Sequence, residues 1–410
     1  MAANPPPMSG NPALMADSFA PPPELRRLQM PFLIAGVVGL AVTGLGFVVD
    51  RPHFFQAWLV AWVLWLSVAL GCLGLTMLNH LASGAWGLMI RRPLEAGART
   101  LPLLLVLFVP VLLGMHELFE WSHQDAVSAD PLLQQKAPYL NVPFFIGRAL
   151  FYFLVWIALA WLLTQLSRRQ DETGDPALYR RLQGISAAGF LILALTGSFA
   201  AIDWLMSLDP HWQSSLFGLW FFAGLGLSGL TFSVVVANWL RQRAPMAGVL
   251  RRQHFHDYGK LFFAFTMLWA YLSFSQFLLI WAGNLPEEIP FYLRRAHGGW
   301  GIVSALLVLG HFVLPFLILL SADVKRRGAT LVKVAIWMIA MRWLDYYWHV
   351  APTLQSLHGD KHNVWAGLWI DLAALVGIGG VFVWFYLRQL AGRPLLPVND
   401  PHLPGVLAHE

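Results

Sequence analysis

The chain has 410 residues, of which 57% are hydrophobic and only 12% charged, about half the charged share of an ordinary soluble globule. That composition excludes a water-soluble protein of this size. Its 27 Lys and Arg outnumber its 22 Asp and Glu to give a net charge of +5, but they sit in short clusters between apolar runs, the pattern of membrane topology and not of nucleic-acid binding.

In chain order, residues 1–29 are rich in Pro, Ala and Ser and read as a flexible cytoplasmic tail. No basic n-region precedes the first apolar stretch and no small-residue cleavage site follows it, so a removable signal peptide is not expected. Ten stretches are then long enough to cross a bilayer, near 30–49, 57–80, 101–121, 143–166, 185–206, 215–240, 258–282, 299–321, 330–349 and 364–388. Residues 391–410 read as a C-terminal cytoplasmic tail. The only cysteine, Cys72, lies within the second stretch, which excludes an internal disulfide, a cysteine-ligated iron–sulfur cluster and a covalently attached c-type haem.

Twenty Lys and Arg fall on one side of this topology, among them Arg91, Arg92, Arg168, Arg169, Arg251, Arg252 and Lys325 to Arg327. Six fall on the other: Arg51, Lys136, Arg148, Arg294, Arg295 and Lys361. The positive-inside rule therefore makes both termini cytoplasmic. The expected fold is an all-α integral membrane domain over residues 30–390 with ten transmembrane helices. Four-helix bundles formed by helices 2–5 (about 56–206) and 6–9 (about 214–350), flanked by helices 1 and 10, fit the spacing of the two halves.

Polar residues gather near the non-cytoplasmic ends. His116, Glu120 and His123 share a stripe at the end of helix 3, beside Glu117, and Asp203 closes helix 5, with Asp209 and His211 in the turn that follows. Helix 7 carries Tyr271 and Gln276, followed by Glu287. In helix 9, Arg342, Asp345, Tyr346 and His349 fall at offsets of 0, 3, 4 and 7 and share one face. Asp371 lies about two turns inside helix 10, and His311 is deeper in helix 8. An ionisable group in hydrocarbon costs about 2.5–3.5 kcal/mol, so such residues face a bundle interior and pair there. Read plainly, Glu117, Glu120, Asp209, His123 and Glu287 are interfacial residues, and Arg342 with Asp345 is a packing ion pair. Read functionally, the groups converge on one outer pocket suited to a quinone, whose carbonyls take hydrogen bonds from His, Tyr or Gln while a carboxylate accepts protons. The roles would be His116, Glu120, Tyr271, Gln276 and Arg342 in quinone binding and Asp203, Asp345 and His349 in proton transfer, with His311 and Asp371 on a proton path. A b-type haem is disfavoured, since of His80, His116, His311 and His349 only His116 and His349 match in depth, and both belong to the polar cluster. No phosphate-binding glycine pattern supports nucleotide chemistry.

Two stretches, residues 198–218 (SFAAIDWLMSLDPHWQSSLFG) and 269–288 (WAYLSFSQFLLIWAGNLPEE), resemble the ActF-type membrane subunits of alternative complex III, a bacterial quinol:electron acceptor oxidoreductase. The resemblance extends over the ten-helix pattern, residues 30 to 390, and implies the fold of the NrfD/PsrC membrane anchors, with two pseudo-symmetric four-helix bundles in the bacterial cytoplasmic membrane. It implies partners as well: an ActC-like NrfD-family subunit, an iron–sulfur/molybdoenzyme-like subunit, haem c subunits and often a terminal oxidase. Haem and iron–sulfur clusters would then lie only in those partners, with a quinone such as menaquinol as the one candidate ligand here. In such complexes the ActC-type subunit is the usual site of quinol oxidation, which leaves structural and proton-conducting roles open for this chain. A structural anchor without its own quinone site and a secondary transporter are the alternatives, the latter expected to bind its solute at broken helices near the midplane.

Overall fold

The computed structural model describes residues 19–357 and 367–408, and these form an all-helical protein with nine helices long and apolar enough to cross a membrane. Eight precede residue 321: α1 (Glu24–Val49), α2 (Arg51–Ala82), α3 (Ala85–Leu113), α4 (Val142–Thr173), α5 (Pro176–Trp204), α6 (Phe217–Arg241), α7 (Arg252–Gly283) and α8 (Gly299–Leu320). After α9 (Gly328–Leu357), a 30-residue helix kept below that apolarity by its polar stripe, comes the ninth apolar helix, α10 (Leu368–Leu390). Residues 1–18 of the predicted N-terminal tail and Lys361 lie outside the described residues.

Helix boundaries follow local chemistry. Asp50, Asn141 and Asp175 cap α2, α4 and α5 by accepting from the amides of His53 (3.1 Å), Phe144 (3.0 Å) and Ala177 (2.8 Å), each with Pro in the first turn. The chain leaves α4 through Gly174 at φ 65°, a left-handed stop. Helix α3 is broken into Ala85–Ala98, Leu101–Val106 and Val109–Leu113, and the second and third pieces carry Pro102 and Pro110 in their first turns. The third span expected from the sequence, 101–121, is therefore not one regular helix: the apolar span runs over Ala85–Leu113, and residues 115–122 form short separate turns.

Helix α2 is buried almost throughout and packs against α3, α5, α6, α9 and α10, while α6 also meets α5, α7 and α9. Their backbones touch: a Cβ on Gly71 would fall on the Leu225 carbonyl, and one on Gly229 on the backbone of Gly71 and Cys72. Helices α1 and α10 meet the same way through Gly36 and Gly39 against Gly377 and Gly380. Close approach over small residues is how helices gain contact in lipid, where water does not drive them together. Met30, Val37, Val38, Leu45 and Val48 of α1 remain exposed, as a lipid-facing surface requires.

Two expectations need correction at the end of the bundle that carries most basic residues, here the basic end. Arg91 and Arg92, counted with the basic loop residues, lie in α3 and are buried. Arg91 donates to Asp400 at 2.5 Å, and Arg92 bonds Glu95 (2.6 Å), Ser167 (2.8 Å) and Asp171. The second correction is the C-terminal tail, which packs back as a plug. Leu395, Leu396, Val398 and Leu403 are buried, the Leu395 amide donates to the Phe19 carbonyl (2.8 Å), and Asn399 donates to the Asp171 carbonyl (2.7 Å). Residues 24–29, assigned to the N-terminal tail, are already part of α1. Truncation after Gly392 leaves Arg91 buried without its carboxylate, so it is expected to destabilise the fold by about 3–5 kcal/mol. A lowered thermal unfolding midpoint in detergent reads this out; an unchanged midpoint would mean that the segment is not part of the core.

Candidate functional site

The ten residues singled out from the sequence do not line one cavity. They fall into separately bonded sets, and the largest is built on α9. Offsets of three and seven residues bring Asp345 and His349 onto the face of Arg342, as expected. All three are buried. Arg342 donates to Asp345 Oδ2, and Trp269 of α7 donates to the same oxygen from Nε1 at 2.8 Å. His349 Nδ1 is 3.5 Å from Asp345 Oδ1 and 2.8 Å from its backbone carbonyl. The Arg342 guanidinium has room because Gly224 of α6 carries no side chain there, and it lies over the Tyr346 ring at 4.5 Å. Its Nε and Nη2 make no hydrogen bond among the described residues.

Helix α8 reaches the same set. Leu307–Val313 winds as a π-turn just before Pro315, whose missing N–H cannot serve the carbonyl of His311. Trp337 of α9 donates to the neighbouring Gly310 carbonyl at 2.8 Å. The imidazole of His311 is fully buried and stacks on Trp269, ring centroids 3.7 Å apart at 27°. Neither of its ring nitrogens has a hydrogen-bond partner among the described residues. One indole therefore separates the His311 ring from the Asp345 carboxylate.

At the end opposite the basic one, Arg295 supports this set. It donates to the carbonyls of Trp348 (2.9 Å) and His349 (2.7 Å) and to Thr353 Oγ1 (3.1 Å). The Trp348 carbonyl is short of a helical donor because Pro352, four residues on, has no N–H. Burial, then the neighbouring Arg294, pulls the pKa of Arg295 below the ordinary guanidinium value. The space beside His349 is occupied by rings: Trp220 at 4.1 Å, Trp348 at 4.8 Å and Phe217 at 5.7 Å.

Asp203 belongs to a different set. Arg148 of α4 grips both its oxygens at 2.8 and 2.9 Å, and the Tyr152 hydroxyl donates to it at 2.9 Å. Tyr139 lies 3.9 Å from the Arg148 guanidinium, and its pKa is raised by burial and by Asp203. Asp371 pairs with His53 of α2 at 2.8 Å. Gln276 accepts from Ser214 at 3.1 Å and donates to Tyr292 at 3.4 Å. No hydrogen bond or ion pair among the described residues links the Asp203, Asp345 and Asp371 sets.

Three of the expected quinone ligands lie apart from the Arg342–Asp345 set. Tyr271 is 66% exposed, on the face of α7 opposite Trp269, Leu272, Gln276 and Ile280, which are buried. His116 is exposed, its ring beside that of His123 at 5.1 Å, and hydrogen-bonds to Ser122 at 3.1 Å. Glu120 starts a 3-10 turn beyond the broken α3, so the expected stripe of His116, Glu120 and His123 on one helix does not form. Trp269, Arg148, Tyr152, His53 and Arg295 were not singled out as site residues, because each bonds to a group on another element. A signal existed for two: Arg148 and Tyr152, four apart on α4, form a polar stripe in an otherwise apolar run.

No protein-family model matches this chain, and no curated protein matches it.

Proposed function

We propose that this chain is a proton-conducting and anchoring membrane subunit of a quinol-oxidising respiratory complex, of the ActF type. The observation that carries the reading is the intramembrane set of Arg342, Asp345, His349, Trp269 and His311. Ionisable groups held inside a membrane bundle, facing its interior, mark ion or proton paths. The two stretches that carry the resemblance meet each other where Ser214 donates to Gln276, and the second contributes Trp269, which donates to Asp345. Helix contacts of α2 with α3 and α5, and of α6 with α7 and α9, are compatible with two four-helix bundles flanked by α1 and α10 within ten spans. Proton conduction is favoured over a quinone pocket, because Asp203 is locked by Arg148 and Tyr152 and rings fill the space beside His349. In this reading Asp345 and His349 exchange the proton near one face, Arg342 is the fixed counter-charge, and His311, stacked behind the Trp269 indole, joins the path only when water links its free ring nitrogens to the next group. Quinol oxidation, haem c and iron–sulfur clusters belong to partners, an ActC-like subunit among them, in a bacterial cytoplasmic membrane with both termini inside.

The test is affinity purification from native membranes in mild detergent, followed by reconstitution. Haem c and iron–sulfur subunits are expected to copurify. In the Asp345→Asn complex that assembles, haem content per complex is expected to be unchanged and turnover-coupled proton movement to fall about tenfold or more, with Asp345→Glu restoring part of it. Copurification without redox subunits, or wild-type proton movement in Asp345→Asn, would overturn the proposal.

A further inference from the structure

A cavity of about 650 Å³ opens at the basic end, where α4, α10 and the C-terminal segment come together around Arg99. Arg99, Arg168, Arg388 and Arg393 line it, with Asp171 and Glu172 as its acids. Those acids already have partners: Asp171 bonds the buried Arg92 outside the cavity, and Glu172 pairs with Arg168 of the lining at 2.9 Å. Arg393 donates to the Thr164 carbonyl at 2.9 Å and stands 3.8 Å from Glu95. Arg99 and Arg388 make no hydrogen bond or ion pair with a carboxylate among the described residues; Arg388 lies against the Trp384 ring at 5.3 Å. Two guanidinium groups without a bonded carboxylate thus face one space, and a planar guanidinium matches a phosphate with two parallel N–H bonds.

Depth and the adjoining surface decide what carries that phosphate. Helix α10 has 23 residues, about 34 Å at 1.5 Å per residue, against a hydrocarbon core of about 30 Å. Arg388, in its last turn, therefore sits at headgroup level. On α4, Leu154 and Trp161 precede Arg168 by about four and two helical turns on the same face, at spacings of seven, and they are 66% and 61% exposed. An exposed apolar stripe runs from the cavity toward the membrane interior. A soluble phosphate has no use for that stripe, whereas acyl chains do.

We infer that this cavity binds the phosphate headgroup of an anionic phospholipid, with Arg99 and Arg388 on the phosphate and the acyl chains along Trp161 and Leu154. Basic pockets between helices at the cytoplasmic face are suited to such headgroups. The occupant also bridges α4, α10 and the C-terminal plug, so its binding should tighten the basic end.

The test uses the full chain, with whatever subunits accompany it, purified in detergent and depleted of lipid. Phosphatidylglycerol is expected to raise the thermal unfolding midpoint at concentrations where phosphatidylcholine does not, and millimolar inorganic phosphate alone is expected to have no such effect. In the double variant Arg99→Gln/Arg388→Gln the phosphatidylglycerol concentration for half-effect should rise about tenfold or more, while in Arg181→Gln, exposed at the same end but outside the cavity, it should not change. Equal stabilisation by phosphatidylcholine, equal stabilisation by phosphate alone, or a wild-type response from the double variant would each overturn the inference. The lipid comparison on the unmodified chain decides the matter even where the double variant does not fold.

Discussion

Arg342→Met is expected to destabilise the folded chain by about 3–5 kcal/mol, the cost of leaving a buried charge without its partner. Asp345 then keeps only the Trp269 indole N–H and the approach of His349 Nδ1 at 3.5 Å. Asp345→Leu is expected to be as damaging, since the fully buried Arg342 already has two nitrogens without hydrogen bonds and would lose the carboxylate too. The double variant Arg342→Met/Asp345→Leu should recover most of the loss, because replacing both members of a buried pair by apolar residues of similar volume is often neutral. Thermal unfolding of the four proteins in detergent completes the cycle, and a coupling of about 2 kcal/mol or more is expected from groups in direct contact. Additive losses would mean that each residue acts through packing alone. A stable double variant that has lost proton movement would separate chemistry from scaffold, since a pair kept only for packing has no reason to affect transport.

The spans were legible because an uninterrupted apolar run of about 20 residues has few other uses. The irregularities were less so. Pro102 and Pro110 are plain in the sequence, but whether a proline kinks a span or starts a new piece depends on neighbours that re-satisfy the backbone, such as Trp58 and Trp62, which donate to the carbonyls of Leu107 and Leu104 at 2.9 Å. The Arg342 face was legible since its members lie three, four and seven residues apart. Asp203 was visible as an outlier, but its partner Arg148 lies 55 residues away on another helix, and a charge count places Arg148 with the loops. Arg91 misled in the same way, its partner Asp400 being 309 residues distant. The outward placement of Tyr271 was hidden for a different reason. Helix α7 is apolar on both faces, so periodicity does not say which face meets protein and which meets lipid. The C-terminal plug has short apolar pairs between prolines and no helical or strand period, which reads as a tail until its buried leucines find a surface.

Gly229→Leu is expected to abolish the assembled fold or cost more than about 3 kcal/mol, the upper range for overpacking. Ordinary overpacking is relieved when a side chain turns aside, but the atoms a Cβ at Gly229 would meet are the backbone of Gly71 and Cys72 on α2. Relief requires α2 and α6 to separate along the centre of the molecule, where α2 is almost wholly buried. Gly71→Leu should match it, since the clash there is with the Leu225 carbonyl and the Gly229 amide of the same contact. The control is Gly44→Leu on α1, where nothing lies within 4 Å of an added Cβ. That change should leave expression, monodispersity and unfolding midpoint within about 0.5 kcal/mol of wild type, as for surface positions away from special contacts. Because Arg342 lies on α9 against Gly224 of α6, separation of α2 from α6 should also disturb the Arg342–Asp345 set. Partial expression of Gly229→Ala with reduced proton movement would tie the helix contact to the site, while full function in Gly229→Leu would show that the two helices do not approach as closely as described.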